Sequence, residues 1–485
     1  MPPISAVRRH APLLAAMTTV LAMACSSKQT CEDGPFGGAT CTVGGRIVTG
    51  DVVLFSGEQI VYSAQALYGF GPGLPSAAVW TTSDPAVIEV ENLADNTARV
   101  TALDTGTAWV IALINAEFVD SAVVTVARPG SARWRRAFGG VPIGFYPALG
   151  VDSLIRVVTG GAAPALWVLA PDSGVGTSVA SCFSTLGPSL GTADVAYTTG
   201  VQCTRQHDQA GDSLWAAPVG SAALGVAVAD DGGAFTVGGD SLYRIASTGS
   251  VTWGAPLGGT PRTAPVVGPG GDVYVGWTAG GADSVSRFGI DATLRWSVAV
   301  PGLSPGSPAV AAGRLVFGRP GGLFALDSSM TIAWDRAFPA STAASRTSSP
   351  VHDGLIAFVQ NEEALYSYAL DGTLLWYADS LGYGPTTETV GSPVLLSGLS
   401  LVVPCVASTG REVCAVGQVD GRLIWRSPLG GGSVNGLVVG RSGTIFATRT
   451  LSGGASELAG LWSRAQPMTI GWPAEGGSPQ HTRRR

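Results

Sequence analysis

A unit of about 42 residues recurs along the later part of this chain, and no other feature narrows its fold as far. Its best-preserved copy runs Ser307-Pro308-Ala309-Val310, Gly313-Arg314-Leu315-Val316-Phe317, Gly322-Leu323-Phe324-Ala325-Leu326-Asp327 and Thr331-Ile332-Ala333-Trp334. These are four short runs of Val, Leu, Ile and Phe, each bounded by Gly, Pro, Asp or Ser, the residues that reverse a chain. Aligning on the Ser-Pro-Ala-Val element gives Pro147, Pro188, a degenerate Gly225, Pro265, Pro308, Pro350, Pro393 and a degenerate Gly436. A second register comes from the closing tryptophans Trp215, Trp253, Trp296, Trp334, Trp376 and Trp425, with Trp134 before the array and Trp472 at its end. The intermediate place near Thr177 carries no aromatic. One four-stranded sheet has apolar faces and nothing to cover them. Repeated at this period, the sheets cover one another, and closing the series into a ring removes the exposed edges, which is a β-propeller. Eight anchors predict eight blades, or seven if the first and last segments share a blade. Glycine at 68 and proline at 31 of 485 residues, with 13% charged residues, suit an all-β chain of short strands and tight turns.

Three segments carry a family resemblance. They are Ala325-Leu326-Asp327 with Ala333-Trp334, Tyr368-Ala369-Leu370-Asp371-Gly372-Thr373-Leu374-Leu375-Trp376, and Val419-Asp420-Gly421-Arg422-Leu423-Ile424-Trp425. They resemble the pyrroloquinoline-quinone-like (PQQ-like) propeller repeat, and the resemblance covers about residues 131–476. Trp472-Pro473, Gly476-Gly477 and Pro479-Gln480-His481 resemble the segment that borders such arrays. The repeated tryptophans are expected to wedge between blades and donate to a neighbouring carbonyl. Asp172, Asp327, Asp371 and Asp420 are expected to cap turns. Quinone-dependent dehydrogenases of this architecture carry an adjacent cysteine pair, acidic and Asn calcium ligands and a catalytic Asp. No two cysteines are adjacent here and none of that pattern carries over, so no cofactor is expected.

Ahead of the array, runs at Val52–Phe55, Gln59–Leu67, Val79–Thr82, Val87–Val90, Ala98–Ala102, Ala108–Leu113 and Ser121–Val126 predict a β-sandwich over residues 46–128. The residues Val79-Trp80-Thr81-Thr82-Ser83-Asp84-Pro85, Val100-Thr101-Ala102 and Gly106-Thr107-Ala108 resemble the bacterial immunoglobulin-like family 2 (BIG2) domain. Trp80 is expected between the two sheets. The resemblance implies a stalk or binding module.

Residues 1–24 read as a secretory signal: Arg8-Arg9, an apolar run from Ala11 to Ala22 too short to span a bilayer, and a small residue before Cys25. Leu21-Ala22-Met23-Ala24-Cys25 resembles a bacterial lipobox, which implies lipidation of Cys25. Ser26-Ser27 resembles the start of lipoproteins sent to the outer membrane. Residues 25–45 read as a lipid-anchored linker and 477–485 as a disordered tail. The other six cysteines allow fifteen pairings. Locality favours bonds 31–41, 182–203 and 405–414 in an oxidising compartment, using Cys31, Cys41, Cys182, Cys203, Cys405 and Cys414.

A net charge of −6, with no basic cluster beyond Arg483-Arg484-Arg485, argues against a nucleic-acid partner. The four histidines, His10, His207, His352 and His481, show no metal-ligand spacing. Glu362-Glu363 and Asp230-Asp231 are adjacent on their chains, which sends their side chains apart on a strand. Gly430-Gly431-Gly432 precedes a strand rather than the helix a phosphate cradle needs. The expectation is a cell-envelope lipoprotein of the outer membrane, periplasmic or surface-exposed. It would carry a non-catalytic propeller that binds a protein or polysaccharide ligand, and meet the membrane only through its lipid. The alternative is a carbohydrate-active hydrolase or lyase with its site in the channel mouth.

Overall fold

The computed structural model describes residues 30–474 apart from 34–38, 69–73, 94–95, 222, 269, 312, 340–344, 363, 382–390, 408–409, 428, 465–466 and 469–473. The signal, Cys25, Glu363, Trp472, His481 and the tail lie outside the described residues. The chain divides into two compact units, Met1–Arg128 and Pro129–Arg485. Strands make up nearly all of the regular structure, with only the short 3-10 turns Thr192–Asp194 and Asp379–Leu381 beside them among the described residues. No described helix is long and apolar enough to cross a membrane.

In the first unit, Val52–Phe55, Phe118–Ala127, Gly106–Ile114 and Ala78–Thr82 form one sheet, with Val52–Phe55 parallel to its neighbour. Gln59–Tyr62, Ala98–Ala102 and Ile88–Asn92 form a second. Alternation buries Ala98, Val100 and Ala102 on one strand and Ala108, Val110, Ala112 and Ile114 on another. Trp80 sits in the same core, 3% exposed, and its Nε1 donates to the Asn96 carbonyl at 3.1 Å. At Gly106 an added Cβ would lie 2.7 Å from Val87, so no side chain fits there. The expected Gln59–Leu67 strand breaks at Ser63, where the chain passes to a third sheet. That sheet corrects the linker expectation. Thr30–Asp33 and Ala39–Ile47 are strands, and Ala39–Ile47 pairs with Ala64–Tyr68. Cys31 stands opposite Cys41 in this register.

In the second unit the described strands form eight sheets. Sheet I runs from Ala148–Leu149 to Gly176–Ala180, II from Ser189–Leu190 to Ser213–Ala217, and III from Ala227–Val228 to Val251–Pro256. Sheet IV has five strands, with Thr260–Pro261 and Val266–Val267 both paired to Val273–Ala279, and ends at Leu294–Val300. Sheet V is Ala309–Ala311, Arg314–Arg319, Gly322–Asp327 and Ile332–Ala337. Sheets VI and VII run from Val351–His352 to Leu374–Ala378 and from Val394–Leu396 to Leu423–Arg426. Sheet VIII joins Ser433–Val439, Ile445–Thr450 and Ser456–Leu461 to Ala132–Ala137, which pairs with Ser456–Leu461. Trp134 therefore belongs to the array rather than preceding it.

The first strands touch in a circuit. Ala148–Leu149 contacts both Ser189–Leu190 and Ser433–Val439, and the circuit continues through the other first strands. Between sheets IV and V the link is a parallel bridge between Thr263 and Gly306. In sheet V the first strand and nearly all of the middle two are buried on both faces, while Ile332–Ala337 is exposed except for Trp334. The first strands are thus innermost and the fourth strands form the outer wall. Disulfides join Cys182 to Cys203, linking the end of sheet I to sheet II, and Cys405 to Cys414 within sheet VII.

Candidate functional site

Each sheet turns into its outer strand through a residue in the left-handed region: Gly130, Gly174, Gly211, Gly249, Ala292, Met330, Gly372 and Gly421. A tryptophan on the preceding sheet lies on several of these glycines. A Cβ at Gly174 would meet the Trp134 ring at 2.6 Å, one at Gly249 the Trp215 ring at 2.6 Å, and one at Gly421 the Trp376 ring at 2.7 Å. The indole N–H then donates across the seam, from Trp134 to Pro171, Trp215 to Ser247, Trp253 to Ile290, Trp334 to Leu370 and Trp376 to Gln418, all at 2.8–3.0 Å. Arg136 and Arg336 add second bonds, to the Gly174 and Gly372 carbonyls. Among the described residues no acceptor meets Nε1 of Trp296 or Trp425.

The turn carboxylates are engaged internally. Asp327 accepts from the backbone N–H of Ser329 and Thr331 at 2.9 and 3.0 Å, Asp371 from Thr373 and Asp420 from Arg422. The Ser329 hydroxyl and the other turn donors hold the Asp327 carboxyl down at about 2. Asp172 instead pairs with Arg133 at 2.7 Å. Asp231 pairs with Arg244, and Asp272 with Arg287 and Arg295. The fully buried Arg156 is held by both oxygens of Asp152, and the fully buried Arg449 by Glu457 at 2.6 Å. A buried cation needs such a partner.

One nucleophile–base contact is present that the sequence did not announce. Ser181 Oγ lies 3.2 Å from His207 Nε2, which also faces Thr198 Oγ1. His207 Nδ1 meets the Gly211 carbonyl at 2.9 Å, so the ring is oriented by backbone rather than by a carboxylate. Both residues are buried, and desolvation lowers the histidine's pKa. His352 is also internal, bonded to the Val310 carbonyl and the Gly354 N–H. Among the described residues no group of three His, Cys, Asp or Glu side chains is placed to hold a metal.

At one end of the ring the centre is filled. Tyr146, Leu186 and Ala264 come from the segments entering sheets I, II and IV, yet they form one buried cluster with Phe145 against it. The Tyr146 hydroxyl meets Ser392 Oγ at 3.0 Å and accepts the Ser392 N–H, in the segment entering sheet VII. Contacts among such distant sheets occur only across the axis. Gly436, read from the sequence as degenerate, is required here, since its Cβ would lie 2.6 Å from the Tyr146 ring.

At the other end, the turns joining first to second and third to fourth strands carry Val151, Val175, Ile290, Leu355, Leu399 and Val419 exposed, Leu355 at 77%. Leu399 is held out in the left-handed region at φ 61°, an unfavourable conformation for leucine. Among the described turn residues of the opposite end, Val201 is the large apolar side chain left exposed.

The family model described as outer membrane protein assembly factor BamB matches residues 281–458, from sheet IV into sheet VIII. No curated protein matches the chain. Among solved structures, the Dos1 propeller has a TM-score of 0.52 at 12% identity, covering 70% of this chain and 97% of that one. Chaetomium thermophilum Sqt1, solved bound to the N-terminus of ribosomal protein L10, has a TM-score of 0.51 at 13% identity, covering 69% and 100%. Residues 281–458 therefore carry a PQQ-like, BamB-type match, and the second unit has the fold of a β-propeller.

Proposed function

We propose that this protein is a cell-envelope lipoprotein whose propeller is a non-catalytic platform for a protein partner. In this reading residues 1–24 direct export, Cys25 is lipidated and holds the chain to the outer membrane, and an immunoglobulin-like BIG2 sandwich carries the propeller. The eight sheets are its blades, with sheet VIII closing the ring from both termini of the array. The observation that carries the platform reading is the row of apolar turn tips at one end, Val151, Val175, Ile290, Leu355, Leu399 and Val419, on a frame whose charged turn residues largely bond one another. Exposed apolar groups on rigid turns are the ordinary makings of a protein interface. A channel-mouth enzyme acting on a polysaccharide has less support, because Tyr146 and its neighbours fill one end of the axis.

The test is site-specific photo-crosslinking in intact envelopes. A photoreactive residue at Leu355 is expected to trap a discrete protein adduct, and one at Val201 to trap none. Equal adducts from both ends, or none from Leu355, would remove the basis for this reading.

A further inference from the structure

The seam between sheets IV and V departs from the other seams at one residue. Met330 occupies, at φ 64°, the left-handed turn position that glycine fills at Gly174, Gly249, Gly372 and Gly421. The turns are equivalent: Met330 N–H bonds the Asp327 carbonyl as Gly372 N–H bonds Ala369 and Gly249 N–H bonds Ala246, each at 2.9 Å. With glycine, the preceding tryptophan lies where a Cβ would be. With Ala292, Trp253 still reaches the Ile290 carbonyl at 3.0 Å. With the longer Met330, itself 3% exposed, Trp296 has no acceptor among the described residues. A half-open cavity of about 290 Å³ lies beside it, with Tyr274 and Arg287 of sheet IV and Val310, Leu315 and Met330 of sheet V as its walls and the polar Arg314, Asp327 and Ser328 also lining it.

We propose that this cavity is a binding site for one planar aromatic group. Its walls offer what such a ring uses: a thioether, a phenol ring, two aliphatic side chains and a guanidinium whose charge Asp272 balances. An enclosed apolar cavity on the order of 150 Å³ suffices for benzene; this larger, half-open one has room for a ring laid on its apolar walls with a polar edge toward Arg314 and Ser328. Neighbouring seams hold an indole against the corresponding turn and bond it there; here Trp296 packs against the cluster around Met330 without that bond, and the cavity lies beside the turn. A strained, buried methionine at a turn where glycine would close the seam is the kind of local cost that persists at ligand clamps. The ring is either a free aromatic molecule or an aromatic side chain presented by a partner, and the site stands apart from the platform reading.

The experiment uses the full mature chain with two probes, 5-fluoroindole followed by fluorine NMR and the capped peptide acetyl-Gly-Trp-Gly-amide followed by calorimetry. Saturable 5-fluoroindole binding is expected, reduced at least tenfold in Met330→Gly, where Trp296 can settle onto the turn. It is unchanged in Ala292→Gly at the adjacent seam. Val310→Phe, which adds bulk to the cavity at a second lining position, gives the same loss should the glycine variant fold poorly. Peptide binding with the same variant pattern assigns a partner's side chain, and binding of 5-fluoroindole alone assigns a small molecule; either supports the site. No saturable binding of either probe, or equal binding by Met330→Gly and Val310→Phe, overturns it.

Discussion

Asp327 shows how a repeated residue acts. The Ser329 hydroxyl, the Thr331 N–H and the Thr331 hydroxyl all favour its ionised form and hold it at about 2. Its folded value lies below the unfolded value of about 3.9, so its contribution to stability is present above about pH 4 and is lost as pH falls toward about 2. Urea titrations of the wild type and Asp327→Ala are expected to show a stability gap that is constant from pH 7 to about 4 and shrinks below it. A gap that persists unchanged to pH 2 would contradict this role. Asp327 and the tryptophans stand out in the sequence because the repeat presents them again and again. Met330 and Tyr146 do not. The signal for Met330 is a missing glycine, visible only when Asp327 to Thr331 is laid beside Asp371-Gly372 and Asp420-Gly421. Tyr146 depends on Ser392 and Gly436, far along the chain, and no local spacing encodes that meeting.

Among elements, the Cys182–Cys203 bond ties the segment leaving sheet I to sheet II, across a sequence separation of 21. Sheet I lacks a seam tryptophan at Thr177, and Val168 and Val179 approach Gly211 in its place. The disulfide therefore supports a seam with less aromatic burial. A closed loop of this size is worth about 3 kcal/mol in the chain-entropy account. The double variant Cys182→Ser/Cys203→Ser is expected to lose about that much in urea unfolding, and unchanged stability would show that the seam holds without it. Strand existence was legible from alternation at Ala98–Ala102 and from a short apolar run at Val52–Phe55. Strand partnership was not: Gln59–Leu67 reads as one run because its pattern does not reveal that the chain changes sheets at Ser63. The strands Thr30–Asp33 and Ala39–Ile47 were missed because the acids of the first and the Thr and Gly of the second leave no apolar period.

For the whole molecule, two registers in the sequence were enough to predict a propeller, since a period near 42 leaves four-stranded sheets few other ways to cover one another. The choice between seven and eight blades stayed open because the array begins on a fourth strand. Ala132–Ala137 completes a sheet whose other strands end the array, and the proline-type anchors count innermost strands, which this closure does not change. Function was less legible, because turn tips are the part of the repeat that varies. The end bearing those tips is proposed to capture a protein partner. Affinity purification from solubilised envelopes, comparing the wild type with the triple variant Leu355→Asp/Leu399→Asp/Val419→Asp, tests it most directly. A partner is expected to co-purify with the wild type and to be lost from the variant, while both chains unfold at the same temperature. Retention of the same partner at the same yield by a folded triple variant would contradict it.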